Sequence, residues 1–108
     1  MEAELPEFQY VVEPLPPSRV GRRWRWQLWR GERLVAAGWN IGERPAHTAL
    51  GRAASRAAHE LAGVIPLRPE RTVADPPWFA GTRVRIAGEA AGCLLVPRVL
   101  EHREAEAA

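Results

Sequence analysis

Arg22-Arg23-Trp24-Arg25-Trp26-Gln27-Leu28-Trp29-Arg30-Gly31-Glu32-Arg33-Leu34-Val35-Ala36-Ala37-Gly38-Trp39-Asn40-Ile41 reads as a β-hairpin. Residues 22–30 alternate between polar and apolar, Gly31-Glu32 fits a two-residue turn with glycine first, and residues 33–41 return. A turn at 31 and 32 sets Arg30 opposite Arg33, Leu28 opposite Val35, Trp26 opposite Ala37 and Trp24 opposite Trp39. One face then collects Trp24, Trp26, Leu28, Val35, Ala37, Trp39 and Ile41. The other collects Arg23, Arg25, Gln27, Trp29, Leu34, Ala36, Gly38 and Asn40. A slip of one residue mixes the two sets, so the hydrophobic pattern sets the expected register.

Upstream, Phe8, Tyr10 and Val12 alternate with Gln9, Val11 and Glu13, which predicts a strand over 7–13 that ends at Pro14. Pro14, Pro16 and Pro17 supply no ladder donors, so 14–21 is expected to be an extended connection. Downstream, Pro45 suits the first turn of a helix and Gly63 is placed to stop it. Ala46, Leu50, Ala53, Ala54, Ala57, Leu61 and Val64 recur at helical spacing, with Arg52, Ser55, Arg56, His59 and Glu60 on the opposite side. A stripe made mostly of alanine lets a helix approach closely, and Trp24, Trp26 and Trp39 are the bulky partners expected beneath it.

A proline-rich connection occupies 66–77. Beyond it, 81–87 and 93–100 read as two short strands around Gly88-Glu89-Ala90-Ala91-Gly92, with Trp78 and Phe79 placed to anchor them. About 35 residues are too few for a second core, so this hairpin is expected to extend the same sheet. The expected fold is a single α+β domain over 1–108. It comprises a twisted antiparallel β-sheet of three strands plus a C-terminal β-hairpin, packed by one main α-helix, with flexible ends at 1–6 and 101–108.

The composition bounds the function classes. All 15 basic residues are arginine and none is lysine, a skew typical of GC-rich coding, and the net charge is only +2. The isoelectric point of about 9.5 follows from having almost nothing that titrates between neutrality and arginine, so it does not itself indicate a nucleic-acid binder. With 46% hydrophobic and 26% charged residues, the chain lies in the globular range. The acidic N-terminus and the lack of a long apolar run point to a cytoplasmic protein with no membrane contact. A lone Cys93 excludes an internal disulfide and a cysteine-rich zinc site, and its apolar setting predicts a buried, inert thiol.

Trp24-Arg25-Trp26-Gln27-Leu28, then Gly31, then Leu34-Val35-Ala36-Ala37-Gly38 and an alanine-rich helix, resembles small bacterial and phage three-strand-plus-helix domains. More distantly, the stretch 8–63 is similar to the arm-binding domains of tyrosine integrases. That resemblance implies a sheet laid against DNA.

Charge is polarised along the chain: residues 1–18 carry four glutamates and no arginine, whereas 19–33 carry six arginines against Glu32. The candidate site is therefore the helix-free side of the hairpin, with Arg23, Arg25, Gln27 and Trp29 on one face and Arg22, Arg30 and Arg33 at the strand ends. Arginine forks bind phosphates, glutamine reads base edges and an exposed tryptophan stacks on a base. This suggests a non-catalytic module that contacts nucleic acid. The alternative is a protein-interaction module, such as an accessory protein that binds a host protein or self-associates through Trp29, Leu34 and Ala36. Glu2, Glu4, Glu7 and Glu13 are available to neutralise the arginines. His47, His59 and His102 form no ligand set; the first two are about 18 Å apart along a helix and are expected at the surface. With no nucleophile, acid and base to assemble, neither catalysis, nor a metal, nor a cofactor is expected.

Overall fold

Alternation over the N-terminal segment produces strand β1, Glu7–Pro14, and the hairpin produces β2, Arg23–Arg30, and β3, Arg33–Ile41. These are followed by helix α1, Glu43–Ala62, and strands β4, Val84–Ala87, and β5, Gly92–Pro97. The structure, a computed structural model, describes residues 5–19, 21–65, 83–87 and 90–98. The proline-rich connection, Trp78 and Phe79, and the tail with His102 lie outside the described residues.

The five strands form one sheet in the order β3-β2-β1-β5-β4, with α1 packed on one side, an α+β arrangement. All neighbours pair antiparallel except β1 and β5, which run parallel, Phe8 beside Leu95 and Tyr10 beside Pro97. The sheet is thus mostly antiparallel, with three N-terminal strands, a C-terminal hairpin and one helix as expected, and the joint between β1 and β5 is the parallel one. Parallel neighbours need a long crossover rather than a turn, and the chain between β1 and β5 includes a 20-residue helix lying over the sheet.

The helix begins after Gly42 and ends at Gly63, which adopts the left-handed conformation (φ 73°) and donates its N–H to the Glu60 carbonyl. Its buried side is rotated from the expected stripe. Ala46, His47, Leu50, Gly51, Ala54, Ser55, Ala57, Ala58 and His59 are buried, whereas Leu61 and Val64 are exposed. Ser55, His47 and His59 were expected outside and lie inside. Residues 47, 51, 55 and 59 form an i,i+4 row in which glycine and serine take little space, so the imidazoles fit at its ends. His59 is hydrogen-bonded on both ring nitrogens: Nδ1 lies 2.7 Å from the Ser55 carbonyl, and Nε2 accepts the Ala90 N–H at 3.1 Å. Nδ1 therefore carries the proton. The ring ties the helix to the segment just before β5.

Beneath the helix, Phe8, Tyr10, Trp26, Leu28, Ile86, Cys93 and Leu95 meet Ala46, Leu50, Ala54, Ala57 and Ala58. The thiol of Cys93 donates to the Ala54 carbonyl at 3.7 Å, and burial pushes it up to about 12. Cys93 is buried, as expected.

The hairpin register is the main correction. Arg30 faces Arg33 and Trp29 faces Leu34, but a bulge next to Leu28 then shifts the ladder by one, so that Leu28 faces Ala36, Trp26 faces Gly38 and Trp24 faces Asn40. Val35 is the extra residue. Beyond the bulge the helix side of β3 is therefore Ala36, Gly38 and Asn40, not Ala37, Trp39 and Ile41, while Val35, at the bulge itself, stays on the helix side beside Phe8 and Ala57. Packing around Trp26 explains the choice. A Cβ on Gly38 would lie 2.8 Å from the indole ring, and the indole N–H donates to Asn40 Oδ1 at 3.1 Å. A buried indole needs both room and an acceptor, and the unshifted register would offer it Ala37 and Trp39 instead.

Candidate binding surface

The side of the sheet opposite α1 presents four cross-strand rows. Arg23 lies beside Ile41, Glu13 beside Arg25 and Trp39, Val11 beside Gln27 and Ala37, and Val96 beside Gln9, Trp29 and Leu34. Four of the seven sequence-predicted residues, Arg23, Arg25, Gln27 and Trp29, share this face. Arg30 and Arg33 turn the other way and line a cavity of about 400 Å³ with Phe8, Val35, Ala57, Glu60 and Leu61 near the end of α1. Arg22 is exposed just ahead of β2, where its carbonyl accepts the Gly42 N–H.

The residues on the open face already have partners. Trp29 Nε1 donates to Gln27 Oε1 at 3.2 Å, and the Arg98 guanidinium sits 4.1 Å from the centre of the Trp29 ring. Arg98 also donates to the Gly31 carbonyl at 2.7 Å, while the Gly31 N–H donates to Gln9 Oε1 at 3.0 Å, so the β2–β3 turn is clamped from β1 and from the end of β5. Arg25 is ion-paired with Glu13. The Arg23 guanidinium packs 5.8 Å from the Trp39 ring centre, close enough for a cation–π contact. Among the described glutamates, Glu13 is the one that neutralises an arginine of this face.

Trp39 and Ile41, which the sequence reading does not propose, and Leu34, which it names for self-association, dominate the exposed area here: Trp39 is 55% exposed, Ile41 52% and Leu34 45%. The alternation places Leu34 on this face but Trp39 and Ile41 in the core, because it does not encode the bulge. The available signal was Gly38 and Asn40, the small residue and the amide that Trp26 needs. Ala36, named for self-association, lies on the helix side.

Among the described residues no cluster of three or more metal-ligating side chains occurs, and no helix is long and apolar enough to cross a membrane. Comparison with protein-family models, curated proteins and solved structures gives no match.

Proposed function

We propose that this protein is a non-catalytic binding module that works through the open face of its sheet, and that the partner is protein rather than nucleic acid. The carrying observation is the exposure of Leu34, Trp39 and Ile41 along one strand beside a packed arginine. Tryptophan and arginine at the centre of an apolar patch are the residues on which protein interfaces concentrate their affinity. Base stacking by Trp29 is disfavoured, since Arg98 occupies one side of its ring and Gln27 holds its N–H. Arg30 and Arg33, turned to the other side, do not join Arg23 and Arg25 in a single phosphate track.

The second reading, contact with nucleic-acid backbone through Arg22, Arg23 and Arg25, draws support from the gathering of Arg23, Arg25 and Arg98 on one face. Fluorescence titration with single- and double-stranded oligonucleotides at low and high salt separates the two. The expected result is no oligonucleotide binding at low salt. Binding that weakens steeply with salt, with a slope reduced in the Arg23→Ala/Arg25→Ala double variant, would overturn the protein reading.

A further inference from the structure

We propose that β3 pairs antiparallel with β3 of a second copy of this chain, about a two-fold axis at Trp39, joining two five-stranded sheets into one. This deepens the protein-partner reading above and rests on it.

The two edges of the sheet differ. β4 has four residues and carries Arg85, with Arg83 immediately before it. Short length and charge are how proteins blunt an edge. β3 has nine residues, and its sole charge is Arg33 at the first position; from Leu34 to Ile41 there is no charge and no proline. Such an edge offers a template for another strand.

Its backbone is laid out for self-pairing. The Gly42 N–H bonds the Arg22 carbonyl across the β2–β3 ladder. Because hydrogen-bonded and non-bonded pairs alternate in an antiparallel ladder, Ala36, Gly38 and Asn40 turn their backbone groups toward β2, while Ala37, Trp39 and Ile41 turn theirs outward. The bulge at Val35 interrupts this regular set on one side and α1 ends it on the other, so its midpoint is Trp39. Two copies centred there pair Ala37 with Ile41 at each end and Trp39 with Trp39 at the axis, and every outward donor meets an acceptor.

The side chains agree with that register. On the open face small Ala37 meets bulky Ile41, and two half-exposed indoles, each backed by its own Arg23, meet at the centre. The paired segments contain no charge, and the two Arg33 residues fall at opposite ends, so no like charges are brought together. A second copy therefore fits this edge without alteration, as added strands do in other sheet-edge complexes.

Sedimentation equilibrium of the full chain over a wide concentration range provides the test. A monomer–dimer equilibrium is expected, with amide hydrogen exchange at Ala37, Trp39 and Ile41 slowing as concentration rises. Ala37→Pro removes an outward N–H without taking a bond from β2, and Trp39→Lys puts two charges face to face at the axis. Each is expected to weaken the dimer about tenfold or more with an unchanged far-UV spectrum, while Arg85→Ala at the other edge leaves it intact. If Ala37→Pro does not fold, Trp39→Lys and the exchange pattern decide.

A chain that stays monomeric at every concentration overturns the proposal. So does a dimer that Trp39→Lys breaks and Ala37→Pro leaves whole, since that contact is made face to face. Salt-dependent oligonucleotide binding sinks the underlying reading. A monomer that binds no oligonucleotide sinks the self-pairing alone.

Discussion

The two faces of the β2–β3 hairpin are made of similar residue types and behave differently. On the helix side Trp26 lies over Gly38 with its indole N–H held by Asn40, and Leu28 has no exposed surface. On the open side Trp39 and Trp29 carry arginines on their rings, and Arg25 leans on Glu13. Each face has two tryptophans from these strands or their pairing row, so apolarity alone does not decide which is buried. What decides is the neighbour: glycine and an amide acceptor make a socket for one indole, whereas arginine makes a lid for another.

The largest expected contrast comes from truncating one residue on each face. Leu28→Ala should cost about 2–5 kcal/mol, because it opens a cavity under α1 that the alanine-rich helix cannot refill. Trp39→Ala should stay within about 0.5 kcal/mol for the monomer, since the residue is already more than half exposed. Urea denaturation at a protein concentration low enough to keep the chain monomeric measures both. Equal losses would mean that the open face is packed against something as firmly as the helix face is.

Next in size is Gly38→Ala, a change that normally favours a strand. Here the new methyl meets the Trp26 ring well inside contact distance, and the ring cannot swing away without giving up its bond to Asn40. A loss of about 1–3 kcal/mol is expected in the same denaturation assay. A neutral or stabilising result would place Trp26 elsewhere and remove the physical reason for the shifted register.

That register marks the boundary of what was legible in the sequence. The turn at Gly31-Glu32, the strand over 7–13 and the helix stop at Gly63 follow from local rules, because each depends on one or two residues with a conformational requirement. The face of β3 does not. Its even positions read Leu34, Ala36, Gly38 and Asn40, and its odd positions read Val35, Ala37, Trp39 and Ile41, so a count of apolar residues favours the odd set for the core. The hydrogen-bonding need of one indole outweighs that count, and a bulge shifts the ladder to satisfy it. The same limit applies to His59, read as a surface imidazole from its polarity, which instead bridges Ser55 and Ala90. For the site, alternation alone brings four of the seven residues onto one face, whereas parity sends Arg30 and Arg33 to the helix side. The parallel joint between β1 and β5 depends on the path of a long crossover, which no local pattern encodes.

Cys93 offers a pH-dependent view of the helix-side core. Its thiol, raised to about 12 by burial, keeps its proton where the unfolded chain's thiol, at 9.0, has lost it. The unfolded state therefore binds fewer protons between pH 9 and about 12, and stability should fall across that window by about 1.4 kcal/mol per pH unit. Below pH 9 both states hold the proton and this contribution to the slope vanishes. Urea denaturation midpoints of the protein and of Cys93→Ala, compared at pH 8, 9 and 10, isolate the thiol, since every other titrating group is common to both. Parallel pH profiles would show the thiol to be open to water.

The smallest effect belongs to the open face. Glu13 and Arg25 are cross-strand neighbours and both side chains remain in contact with solvent, so their attraction is screened and partly offset by the entropy of holding two long side chains. A double-mutant cycle with Glu13→Ala and Arg25→Ala should give a coupling of about 0–1 kcal/mol, shrinking as salt is added. The value bears on function more than on stability. A weak pair can be opened at little cost when a partner arrives, leaving Arg25 free to be shared with an acidic group on it. A coupling above about 2 kcal/mol that resisted salt would instead indicate a desolvated pair. It would make this row a fixed part of the fold and confine the binding surface to Leu34, Trp39, Ile41 and the free edge of β3.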